Sequence, residues 1–99
     1  GDFETYPRLM KSNHAAERYW CVRTLGFSRR TNTYRDLLNS LDDPNSGVVS
    51  MAFYALGQRK DSRAVPEILK RIETSDDWYN QWYAYRALRN LGWKQSRSR

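Results

Sequence analysis

Ala52-Phe53-Tyr54-Ala55-Leu56 decides the fold of this 99-residue chain, because its pattern stands twice more in the sequence. Cys21-Val22-Arg23-Thr24-Leu25 begins 31 residues earlier and Ala84-Tyr85-Arg86-Ala87-Leu88 begins 32 later. The first two copies continue into Gly26 and Gly57, where a helix is expected to stop. A second block interleaves with the first: Tyr6-Pro7-Arg8-Leu9-Met10, Tyr34-Arg35-Asp36-Leu37-Leu38 and Val65-Pro66-Glu67-Ile68-Leu69. Two alternating blocks at a period near 31 predict stacked antiparallel helical hairpins, an all-α, right-handed α-solenoid.

Working outward, the apolar spacing predicts six helices, at about 3–12, 15–25, 33–41, 46–56, 62–73 and 77–91. Pro7 stands in the opening turn of the first, where its missing N–H costs nothing. Tyr34, Leu37, Leu38 and Leu41 form one stripe, and Asp42-Asp43-Pro44-Asn45-Ser46-Gly47 reads as a turn. Val48, Met51, Ala52, Ala55 and Leu56 point inward on the fourth helix. Asp61 or Ser62 is expected to cap the fifth, with Val65, Ile68, Leu69 and Ile72 as its buried stripe; Asp76-Asp77 opens the sixth. No stretch alternates as a strand would. Residues 1–93 read as one repeat domain with incomplete hairpins at both ends, the pattern of a fragment or terminal domain. Residues 94–99 read as a basic disordered tail.

Asp43-Pro44 followed by Val48, Ala52 and Ala55-Leu56-Gly57, then Asp61-Ser62-Arg63-Ala64-Val65-Pro66, resembles the short HEAT-like repeat. That repeat is best known from the bilin lyases of cyanobacteria. The resemblance is fullest over 42–73 and thinner to either side. It implies an α-solenoid and a binding role, not a reaction. The family usually places Val-Arg before the alanine; here those places hold Glu17-Arg18, Val48-Val49 and Asn80-Gln81. Only Arg18 is kept, which puts an arginine ladder between repeats in question.

The net charge of +6 is half tail: without Lys94, Arg97 and Arg99, 14 basic and 11 acidic residues leave +3. No apolar run approaches the roughly 18 residues of a membrane span. One cysteine permits no internal disulfide. No compartment is indicated, the cytoplasm being the default.

Three candidate surfaces emerge. Turns after the first helix of each hairpin carry Arg29-Arg30 and Arg59-Lys60, with Arg89 near the end of the last, and turns before it carry Asp42-Asp43, Glu73 and Asp76-Asp77. One edge is thus expected positive and the other negative. Helix-terminus electrostatics explains the acids better than the bases, so an anion-facing edge of Arg29, Arg30, Arg59 and Lys60 stands beside it. Outward places on the second helices hold Arg8, Asp36 and Glu67 in one column and Lys11, Asn39 and Lys70 in the next, flanked by Arg35 and Arg71. That mixed column argues against duplex DNA, which favours a stripe of one sign. The third surface is Trp78-Tyr79-Asn80-Gln81-Trp82-Tyr83-Ala84-Tyr85. Trp78, Trp82, Arg86 and Arg89 share a helical stripe that serves either as an end cap, with Trp93, or as a protein-binding face. Tyr83 aligns with Met51 and Trp20 and is expected to be buried; Trp82 aligns with Ser50 and Tyr19, facing outward.

Catalysis finds little footing. His14 aligns with Asn45 in a turn, Cys21 holds an alanine place, and both aspartate pairs open helices. No catalytic, metal or cofactor constellation stands out, and the glycines are isolated. The expectation is a non-enzymatic scaffold that holds a protein, a peptide or another domain of its own chain. Nucleic-acid binding, as in helical-repeat DNA glycosylases, is the first alternative, and an accessory or lyase-like role related to bilin lyases the second.

Overall fold

The computed structural model describes residues 8–27 and 33–94, and among these it contains helices and turns only. A helical stretch at 8–10 comes first. It is followed by α1 (Ala15–Leu25), α2 (Tyr34–Ser40), α3 (Ser46–Arg59), α4 (Ala64–Thr74) and α5 (Trp78–Asn90). The molecule is elongated, 53 × 27 × 14 Å along its principal axes.

Alternate helices build the stack. α1 packs on α3 and α3 on α5, while α2 and α4 lie against that layer and contact each other far less. Val22, Leu25, Leu37, Val48, Ala52, Phe53, Leu56, Ile68, Ala84 and Leu88 belong to one continuous buried core, so each five-residue block contributes its apolar side to both neighbours.

α1 ends at Leu25 with Gly26 as its C-cap, as expected, but Gly57 does not stop α3. Gly26 keeps right-handed backbone angles (φ −62°), and α3 runs through Gly57 to Arg59, three residues past the expected end at 56. The chain leaves α3 at Lys60, in the left-handed region at φ 58°. What the two glycines supply is room. A Cβ on Gly26 would lie 3.0 Å from the Cα and the Cβ of Ala55, and one on Gly57 would lie 3.0 Å from Ala87 Cα. The same glycine–alanine contact thus recurs one repeat along, and backbones approach there as only a missing Cβ allows. A glycine in the left-handed region does end α5. Gly92 sits at φ 86°. Trp93 N–H donates to Leu88 O at 2.9 Å and Gly92 N–H to Arg89 O at 3.0 Å, the paired bonds of a Schellman ending.

The starts of the first helices repeat as closely. Two residues before each helix-start position, Ser12, Asp43 and Ser75 accept the N–H of His14, Asn45 and Asp77 at 3.0, 2.8 and 3.2 Å. Asn45 and Asp77 then cap α3 and α5, each accepting from two backbone N–H groups, whereas His14 makes no side-chain cap on α1. The expected cap at Asp61 or Ser62 is not made, and α4 begins at Ala64. Asp61 instead accepts from the backbone and guanidinium of Arg63, and the entry is closed by short turns from Ala64 N to Asp61 O and Val65 N to Ser62 O.

Candidate functional site

Polar bonds set the register between hairpins, and they remove several charged residues from the surface. Arg18 meets Asp43 of the next repeat two-pronged, Nε to Oδ2 at 2.7 Å and NH2 to Oδ1 at 3.0 Å, and its NH1 donates to Ser12 O. Both side chains are largely buried, 14% and 9% exposed. The inter-repeat arginine therefore works in the copy that keeps it. At the matching place in the last repeat, Gln81 donates to Ser75 O, which reproduces the Arg18–Ser12 bond without a charge. Between α3 and α5, Asn80 is buried and satisfied: Ser50 donates to its Oδ1, and its Nδ2 donates to Ser46 Oγ at 3.4 Å. Ser46 in turn donates to Asp77 Oδ2 at 2.6 Å.

These contacts pull three carboxyls below their ordinary range. Burial pushes the Asp43 carboxyl up, but the hydrogen bonds from Arg18 and from Asn45 N–H outweigh it. The Arg63 guanidinium holds Asp61 down, and the Ser46 hydroxyl, then the N–H groups of Asn80 and Tyr79, hold Asp77 down. Burial moves the Cys21 thiol the other way, up to about 11, so little thiolate forms near neutrality. Among the described residues no group of three or more His, Cys, Asp or Glu side chains is placed to hold a metal ion. No helix among them is long and apolar enough to cross a membrane.

Of the positive edge expected from the alignment, the described residues include Arg59 and Lys60. Arg29 and Arg30 lie outside the described residues. Arg59 turns inward, donating to Leu25 O at 3.3 Å and to Thr33 Oγ1, so it braces the preceding hairpin. Lys60 remains exposed. On the second-helix side, Arg8, Lys11, Arg35 and Lys70 are exposed. Arg71 is engaged, pairing with Glu67 at 2.9 Å and with Asp42 at 3.2 Å across the hairpins. Its Nε is buried without a hydrogen-bond partner, in a cleft of about 200 Å³ between Leu41, Val49, Phe53 and Ser75. Arg63 lies 4.4 Å over the Tyr34 ring, tying α4 to α2.

The aromatic stripe of α5 is open. Trp78 is 71% exposed and Trp82 47%. Arg86 stacks over Trp82 at 5.3 Å, and Arg89 is exposed one turn on. Tyr79 and Tyr83 stack at 5.9 Å and complete, with the two tryptophans, a recess of about 230 Å³. Tyr83 is only partly buried, contrary to the expectation from Met51, because part of its ring lines this recess. Trp93 behaves differently from its two fellows. It folds back onto the core and meets Tyr85 at 6.5 Å, whereas Trp78 and Trp82 stand exposed. From the sequence Tyr79 and Tyr83 fall within the aromatic segment, but neither is placed on the stripe of Trp78 and Trp82. Their signal was the four-residue spacing that parallels Trp78 and Trp82.

A model of HEAT repeats matches residues 5–95, nearly the whole chain. The chain belongs to the HEAT-repeat family. Its all-helical stack of hairpins is the architecture such repeats build, and HEAT repeats commonly mediate protein interactions. None of the curated proteins compared with this HEAT-repeat chain matches it.

Proposed function

We propose that this HEAT-repeat chain is a non-catalytic scaffold whose protein partner docks on the outer face of α5. One observation carries the reading: Trp78 and Trp82 stand exposed beside Arg86 and Arg89, and none of the ion pairs among the described residues involves either arginine. Tryptophan and arginine dominate interface hot spots, and contiguous exposed rings on a small domain mark an interaction site. The internal engagement of Arg18, Arg59, Arg63 and Arg71 supports a protein over a nucleic acid, because it leaves fewer cations free for phosphates.

Selection of binders from a displayed random-peptide library tests it. The expected outcome is peptides whose affinity drops about tenfold or more with Trp78→Ala or Trp82→Ala, at an unchanged melting temperature. Failure to select any peptide, together with salt-sensitive binding of single- or double-stranded nucleic acid, would overturn it.

A further inference from the structure

The outer face of α5 holds the same repeat positions as the face of α3 on which α5 itself lies. Ser46, Ser50 and Gly57 make the α3 side of that joint, through Asp77, Asn80 and Ala87. The residues 32 places further on are Trp78, Trp82 and Arg89. At the earlier joint between α1 and α3 the corresponding place is Gly26, again against an alanine. Both earlier joints therefore receive a helix, and their third place is a glycine that lets the backbone come close. On α5 that place is an arginine, and two serines have become tryptophans. A hairpin packed there as closely as at the two earlier joints would meet the Arg89 side chain where they have a glycine.

Resting on the scaffold reading, we infer that this face takes an acidic amphipathic helix from a partner protein, held further out than a repeat helix would be. The geometry of the joint supplies the helix: the face is the one on which a helix lies at both earlier joints. The recess supplies the anchor. A cavity of about 150 Å³ takes a benzene-sized ring, so the 230 Å³ between Trp78, Tyr79, Trp82 and Tyr83 admits one leucine or phenylalanine side chain. Charge supplies the sign. Arg86 and Arg89 carry no ion pair among the described residues, and a guanidinium stacked on a ring, as Arg86 is on Trp82, keeps in-plane donors for a carboxylate. Trp78 and Arg89 are about 16 Å apart along the helix axis. The partner helix thus carries its apolar anchor near one end and its carboxylates two to three turns away.

The probes are two synthetic helical peptides of about 18 residues. One has leucines at i and i+4 near one end and glutamates toward the other; its twin has lysines in place of the glutamates. Titration against the folded chain, followed by tryptophan fluorescence and by the indole N–H signals, is the measurement. Expected is saturable binding of the acidic peptide, with the lysine twin at least about tenfold weaker. Trp82→Ala or Trp78→Ala should abolish it, the pair Arg86→Glu with Arg89→Glu should reverse the preference, and Lys70→Glu should change nothing. Equal binding of both peptides, or binding lost with Lys70→Glu instead, would overturn the inference while leaving the scaffold reading intact. So would a concentration-dependent dimer abolished by Trp82→Ala, since a second copy would then occupy the face. If neither peptide binds and the display selection also yields nothing, both readings fall together.

Discussion

Ser46, Ser50 and Gly57 on α3 and Trp78, Trp82 and Arg89 on α5 occupy the same three places of their repeats, yet one set meets a neighbouring helix and the other stands exposed. Where the side chains are small, a neighbouring helix closes in and the hydroxyls are used up as bonds to Asn80 and Asp77. Where they are bulky or charged, the surface stays in water. The comparison teaches that stacking in this solenoid is selected place by place. At the α1–α3 joint the place of Ser50 holds Tyr19, so what the two joints share is the glycine, and on α5 that place is Arg89.

Exchanging residues between the two faces breaks the comparison most severely. Gly57→Arg puts the α5 residue into the α3–α5 joint against Ala87 and should cost about 3 kcal/mol or more, abolishing cooperative unfolding in urea. Leu56→Ala, beside it in the core, should cost about 2–5 kcal/mol by the same measurement. Ser50→Ala leaves the buried Asn80 Oδ1 without that donor, for a loss of about 1–3 kcal/mol. Smallest is the converse exchange on the open face. Trp82→Ser should move stability by no more than about 0.5 kcal/mol, and a larger loss would assign Trp82 to the packing of the domain end.

Acid provides a separate probe of the joints. Asp43, Asp61 and Asp77 all titrate below the ordinary carboxylate value in the folded chain. Their contribution is therefore complete above the unfolded-state value near 4 and is lost as pH falls through the lower folded values. The melting temperature should decline below about pH 4, and Asp43→Asn should flatten that decline while lowering stability at neutral pH. Lys60→Gly, at the left-handed exit from α3, should add up to about 1 kcal/mol.

Much of this was legible in the chain, because a repeat reports itself. The five-residue blocks located α1, α3 and α5, and their apolar places became the core. Trp82 aligned with a serine and was expected outward, as it is. Arg59 was not legible, because the carbonyl it bonds, that of Leu25, lies 34 residues away in sequence. Of the two partners of Arg71, Glu67 stands four residues before it and was open to the sequence reading, whereas Asp42 lies in another hairpin and was not.

What the sequence by itself determined is the period, and with it the helical hairpins, since apolar and small residues returning every 31 or 32 places can be buried together only in stacked helices. What only the tertiary structure decided is the meaning of the residues at the joints. A glycine at the end of an apolar block can stop a helix or admit a neighbour, and a chain position carries no record of which backbone lies 3.0 Å from it. The contact between helices, not the order of residues, made Gly26 and Gly57 contact points and left the tryptophans of α5 open.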